Sequence, residues 1–414
     1  MDVELTFEKR EVPIIYKMYR SFLYFLTFFF ILIGPSLLMA QEKTNYRERD
    51  VPDYTLPDIF ITTEGDSAHS IVAWETIRRP EIIRLFEENV YGTIPKDFDH
   101  IAFHQLELEE NPYPDISILK QVDIEVGRNG NNHSLRLDLF IPTSGQGPYP
   151  VFLFINHREN LGLQEHIETE FWPVPALLAR GYAVGAIYAE DLVPDDKSRY
   201  KEGILNNLYP EQLEMENGMR ALGAWGWGAM RTMDYFEQDP DIDAGRSALV
   251  GHSRGGKAAL WTSANDPRWA ITIANGSGAA GAALSRRKFG ETVEDLNRSF
   301  PHWFSRNFKA YNGLEEELPI DQHMLIATIA PRAVYISSAT KDQWADPRGE
   351  YLALKHASVV YPTVYGLELK FPEIATISEP VLQKHTGYHI KVGNHSLTLF
   401  DWERFMDFAD VQFN

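Results

Sequence analysis

Apolar and polar positions alternate over Gln121–Val126 and Leu135–Ile141, on either side of Arg128-Asn129-Gly130-Asn131-Asn132. That period of two around a turn-forming cluster predicts a β-hairpin. Val151–Ile155 and Ala183–Tyr188 are unbroken apolar runs, the pattern of strands buried on both faces. Ser247–Val250, Ala270–Ala274 and Ala333–Ser337 extend the series, and Gly366–Leu369 is a shorter candidate. Helical spacing marks Trp74–Val90, Phe171–Arg180 (closed by Gly181), Met215–Phe236, Gly256–Ala264, Pro347–Ala357 and Asp401–Asp410. An antiparallel start followed by β-α alternation predicts an α/β three-layer sandwich, with helices on both faces of a mostly parallel central sheet. Residues 41–70 are polar and Pro-containing and read as an extended lead-in. Residues 278–325, rich in Gly, aromatic and charged residues, read as an insertion over the strand ends, where ligands bind in such sheets. No linker divides residues 71–414, which are taken as one domain.

Between the strand at Ala248-Leu249-Val250 and the helix from Gly256 stands Gly251-His252-Ser253-Arg254-Gly255. This is G-x-S-x-G in the strand–turn–helix setting that exposes a serine hydroxyl in the α/β-hydrolase fold. The plain alternative is a glycine-rich loop with an idle serine. As a nucleophile, Ser253 needs a base, and the base needs an orienting carboxylate; in this fold the chain order is Ser, acid, His. Asp342 follows the strand at Ala333–Ser337 by a short polar turn and is the expected acid. Asp346, in Trp344-Ala345-Asp346-Pro347, competes with it but is better placed to cap the next helix, with Pro347 at the first helical position. His395, in a loop ahead of the terminal helix, is the expected base; His385 and His389 are alternatives, His389 more as a structural hydrogen-bonder. A three-histidine metal site is conceivable, but no motif such as H-E-x-x-H accompanies it, so no metal and no cofactor are expected. The N–H groups after the nucleophile, starting with Arg254, would form the oxyanion hole.

The 414 residues carry a formal charge of −20 and no cysteine. Such an acidic balance argues against nucleic acid, which requires clustered Lys and Arg. The missing cysteines remove disulfides and thiolate metal sites. Lys17 and Arg20 precede an apolar stretch from Phe22 to Ile33, followed by Gly34-Pro35 and Leu38-Met39-Ala40-Gln41. This reads as a signal peptide over residues 1–40 cleaved after about Ala40, with Met18 as a possible true start and an uncleaved anchor as the alternative. The expected location is periplasmic or secreted, with no stable membrane association after cleavage.

Gly251-His252-Ser253-Arg254-Gly255-Gly256-Lys257 resembles the Gly-x-Ser-Arg-x-Gly-Lys signature of the glucuronoyl esterases, carbohydrate esterase family 15. Ser299–Phe304, Ala330-Pro331-Arg332, Asp342–Glu350, Gly393-Asn394-His395 and Asp401-Trp402-Glu403 add to the likeness, which spans roughly residues 70–410 and points to the bacterial branch. The resemblance implies cleavage of esters between 4-O-methyl-glucuronic acid on xylan and lignin alcohols, so the expected partner is a glucuronoxylan or lignin–carbohydrate ester; separately, a monomer is expected. It implies that Arg254 also serves the oxyanion hole through its side chain. Lys257 would contact sugar hydroxyls, Glu291 would bind the uronate, and Trp344 would flank the sugar, while Trp303 could be pocket wall or insertion core. Lys257 follows Ser253 by one helical turn, which suits that role; a solvated lysine, a core tryptophan and a surface glutamate are the plain alternatives. Fungal members carry a triad Glu after the strand that follows the nucleophile helix, where this chain reads Asn275-Gly276-Ser277-Gly278. The acid must then come from the later position, and the pocket rim differs accordingly. Asn156-His157-Arg158-Glu159-Asn160, after a strand, is a further candidate for lining the site. Rival readings are an esterase for acetylated xylan or another uronate ester, and an inactive carbohydrate-binding homologue. The intact Ser253, Asp342 and His395 speak against the last.

Overall fold

Asn129 and Gly130 both take left-handed backbone angles, φ 53° and 78°. Two such residues in a row make the tight turn whose twist matches paired antiparallel strands. They join β2 (Ser117–Arg128) to β3 (Asn131–Pro142), which pair from Arg128↔Asn131 to Ser117↔Pro142. The hairpin is longer than the alternating stretches suggested. The computed structural model describes residues 44–107, 110–158 and 170–413. It divides the chain into Met1–Thr44 and Asn45–Asn414. The expected signal peptide lies outside the described residues.

The other strands are β1 (His100–Gln105), β4 (Tyr149–Asn156), β5 (Ala183–Tyr188), β6 (Ile242–His252), β7 (Ile271–Asn275), β8 (Ala333–Ala339), β9 (Val381–Leu382) and β10 (Thr386–Lys391). They form one sheet in the order β1-β2-β3-β5-β4-β6-β7-β8-β10-β9. The run from β5 to β10 is parallel, and the antiparallel pairs lie toward the two edges. This is the expected α/β-hydrolase architecture.

Side-chain alternation along β4 shows why helices must cover both faces. Val151, Leu153 and Ile155 enter one apolar cluster, and Phe152 and Phe154 enter another on the opposite side. The first cluster takes α1 (Arg79–Phe86), α3 (Ala221–Phe236) and α4 (Arg254–Asn265), and the second takes α2 (Val174–Ala179) and α5 (Leu399–Phe413).

Two expectations need correction. The helix predicted from Met215 starts at Ala221, because the buried Arg220 guanidinium donates to the carbonyls of Gln212, Met215 and Met219 and holds the preceding segment in an irregular turn. Gly366–Leu369 is not a strand. Gly366 ends the helix Val360–Tyr365 with φ 67°, and the strand beside β8 is β10, which holds His389. Its residues are buried on both faces, so it carries no alternation to read.

Near its start the chain straps the insertion down. Asn45 O accepts from Gly290 N at 2.8 Å, Glu48 pairs with Arg287 at 2.9 Å, and the Tyr46 ring meets the edge of Phe289.

Candidate active site

Strand β6 delivers Ser253 to a sharp bend at φ 56°, ψ −125°, and α4 begins on the next residue. A non-glycine residue in this sparsely populated region stores about 1–3 kcal/mol of strain, tolerated where the surroundings fix it. The bend is tight enough that a Cβ on Gly251 would stand 2.0 Å from the Gly255 carbonyl oxygen. Ser253 N is anchored on Asn275 O at 2.8 Å. Among the described residues the Ser253 hydroxyl has no hydrogen-bond partner. The N–H of Arg254 is the first of α4 and belongs to the donors that a helix start leaves without an intrahelical acceptor.

Asp342 closes the turn after β8, buried, with Oδ2 2.5 Å from His395 Nδ1. The imidazole remains 40 % exposed. A Cβ at Gly276 would lie 3.3 Å from His395 Nδ1 and 3.4 Å from Asp342 Oδ2. The end of β7 therefore abuts this pair, and Gly276 follows directly on the Asn275 that anchors Ser253. The His395 loop is itself tied down: Lys341 N donates to Gly393 O at 2.8 Å, and Lys391 Nζ to Ser396 O at 2.8 Å.

Asp346 does not reach the imidazole with a free carboxylate. Its oxygens accept from Gly349 N at 3.0 Å, capping the helix Pro347–Ala357, and from Arg287 Nε at 2.8 Å. His389 is fully buried between the Tyr335 hydroxyl and Asp401, at 2.9 Å from each. His385 packs on the Tyr361 ring. The three late histidines therefore have different partners, and among the described residues no group of three or more His, Cys, Asp or Glu could hold a metal ion.

The residues expected around the sugar form two sets. Lys257 is buried, donating to Ala279 O and pairing with Glu291 Oε2 at 3.1 Å, while Trp344 Nε1 donates to the other Glu291 oxygen at 3.1 Å. Trp344 is 40 % exposed and offers a flat face. Neither a solvated lysine nor a core tryptophan describes this arrangement. In the second set, the Arg254 guanidinium lies 4.6 Å from the centre of the Trp303 ring, which is stacked on Phe300. Trp303 is almost wholly buried in the insertion and faces Arg254.

Asp195, Glu350 and His252 were given no role by the sequence. Asp195 pairs with Arg254 and accepts from His302 Nε2 at 3.0 Å and Trp303 Nε1 at 2.7 Å. Burial alone would raise its pKa, but His302, Arg254 and Trp303 outweigh that and hold it at about 2. Its position past the carboxyl end of β5 was the available signal. Glu350 is fully buried against Ser338, Ser277 and Gly278 N, and burial pushes its carboxyl up to about 8. His252 packs its ring 4.6 Å from that of His395 and is kept neutral by burial. His157, from the segment singled out after β4, is held down at about 3 by burial and then by Arg254. Glu159 and Asn160 of that segment lie outside the described residues.

The chain matches the family model described as glucuronyl esterase of fungi over residues 124–365. It is 39 % identical over 410 residues to a carbohydrate esterase from an unknown prokaryotic organism, covering 91 % of this chain and 94 % of that protein. The solved glucuronoyl esterase of Solibacter usitatus superimposes with a TM-score of 0.81 at 35 % identity, covering 88 % of this chain and all (100 %) of that one. A promiscuous family 15 esterase from a marine bacterial metagenome gives a TM-score of 0.79 at 37 % identity, over 89 % of this chain and 100 % of that one.

Proposed function

As a member of carbohydrate esterase family 15, the chain is a carboxylic ester hydrolase of the glucuronoyl esterase type, and we propose that Ser253, His395 and Asp342 carry the reaction on (4-O-methyl-)glucuronoyl esters that join xylan to lignin alcohols. Asp342, bonded to Nδ1, fixes the imidazole tautomer and leaves Nε2 to take the Ser253 proton as Oγ attacks the ester carbonyl. The oxygen that becomes negative is met by the Arg254 N–H and guanidinium; one such donor typically contributes about 3 kcal/mol. His395 then returns the proton to the departing alcohol, and water, activated by the same imidazole, releases the uronic acid from Ser253.

The sugar is held by the Lys257–Glu291–Trp344 group. An ammonium has three donors, and Lys257 commits two of them to Ala279 O and Glu291, leaving one for a hydroxyl of the sugar. The open face of Trp344 suits the apolar side of a pyranose ring. The signal-peptide pattern supports action outside the cytoplasm, in the periplasm or after secretion.

The observation that carries this reading is the 2.5 Å His395–Asp342 contact beside the strained Ser253 bend. The test is hydrolysis of benzyl glucuronate against 4-nitrophenyl acetate. Wild type is expected to favour the glucuronate, and Ser253→Ala to lose nearly all turnover on both while keeping its circular dichroism. A preference for the acetate would favour the rival ester specificity, for which the promiscuity of the marine relative is the supporting observation.

A further inference from the structure

We propose that Asp195 is a positioning residue that both fixes the Arg254 guanidinium and cancels its charge, so that the site grips a neutral ester and lets go of the uronate anion it makes. The inference rests on the function proposed above. Only Nη1 of Arg254 is bonded among the described residues, to Asp195 Oδ2; Nε is buried without a partner. Asp195 is in turn immobilised from the far side, where its other oxygen takes both His302 Nε2 and Trp303 Nε1. The guanidinium plane rests over Trp303 and Phe300, at 4.6 and 5.1 Å from the ring centres. It thus has one anchor, an apolar bed and, among the described residues, an Nη2 with no hydrogen-bond partner.

The charges explain the second half of the proposal. Two cations stand on the first turn of the nucleophile helix, Arg254 and Lys257, and each has one carboxylate of its own, Asp195 and Glu291. The substrate ester is neutral and the product is a carboxylate at the same spot. An uncompensated guanidinium would bind that carboxylate in two-pronged fashion, among the stronger polar contacts a protein makes. Pairing Arg254 with Asp195 keeps its N–H donors for the transition state and weakens its hold on the anion. Against the upward push of burial, His302, Arg254 and Trp303 hold the Asp195 carboxyl at about 2, so it is ionised near neutral pH, which suits the task.

The experiment compares wild type, Asp195→Asn and Asp195→Glu for kcat and KM on benzyl glucuronate and for inhibition by free glucuronate. Asp195→Asn is expected to lower kcat about tenfold with KM within twofold, and to tighten the glucuronate Ki about fivefold. Asp195→Glu, which keeps the charge and moves it, is expected to lower kcat with Ki near wild type. An unchanged Ki in Asp195→Asn, or the same Ki in both variants, overturns the proposal. If Asp195→Asn does not fold, the comparison is Arg254→Gln against Arg254→Gln/Asp195→Asn. Glucuronate should inhibit the first less, through repulsion by the lone Asp195, and inhibition should recover in the second; equal inhibition overturns the proposal. Loss of the underlying functional reading would instead show as an active Ser253→Ala or a wild type inert on glucuronoyl esters.

Discussion

Asp342 and Asp346 stand four residues apart, yet one faces an imidazole and the other an arginine and a helix start. Asp342→Asn should lower kcat about 10⁴-fold with little change in melting temperature, since the amide favours the wrong tautomer. Asp346→Asn should do the reverse: it breaks a buried pair with Arg287, at a cost of about 3–5 kcal/mol of unfolding free energy by urea titration, while the folded fraction keeps its turnover. Equal kcat losses would refute the assignment. Lys257→Ala is expected to hurt benzyl glucuronate at least tenfold more than 4-nitrophenyl acetate in kcat/KM; identical losses would remove its sugar-contact role. Glu350 gives a pH signature. Burial pushes its carboxyl up to about 8 in the fold, whereas in the unfolded chain it ionises in the ordinary range near 4.5. Folded protein therefore holds a proton that unfolded protein releases, and wild type loses stability as pH rises from about 5 to about 8. Glu350→Gln should gain on wild type across that window in parallel thermal melts. Asp342 and His395 were legible because chain order and strand context restrict where an acid and a base can stand. Asp195 was not, because Val193-Pro194-Asp195-Asp196 reads as an ordinary acidic loop until the insertion folds over it.

The strand–bend–helix unit around Ser253 shows what a single element demands. Gly251→Ala places a methyl group 2.0 Å from a backbone oxygen, and either the bend opens or β6 shifts. The expected outcome is loss of activity together with a drop in melting temperature, unlike Ser253→Ala, which should leave stability intact. The elbow, the hairpin and the central strands could be read directly, because turn residues and apolar runs act over a few residues. The start of α3 could not, since helical spacing from Met215 is overridden by the buried guanidinium of Arg220. Strand β10 was hidden for a different reason. Its sequence, Thr386–Lys391, holds polar residues that are buried only because Tyr335 and Asp401 satisfy His389.

At the scale of the molecule, the sheet divides the interior in two, and the site stands where the ends of β6, β7 and β8 meet the insertion. The smaller apolar cluster depends on Trp402, which is fully buried, meets Phe152, Phe154 and Phe405 edge-on, and donates its indole N–H to Phe171 O. Trp402→Ala should cost about 3–5 kcal/mol of unfolding free energy by urea titration. The strap formed by Asn45, Tyr46 and Glu48 has a practical consequence. It is fastened at Arg287, Phe289 and Gly290, immediately before Glu291, which we propose holds the sugar. A force or a bulky fusion applied at residue 45 would then act on the segment that carries Glu291. For immobilisation on a resin, the tether belongs on α5, which is braced by Arg180 through Asp407 and Asp410 and lies far along the chain from the strap.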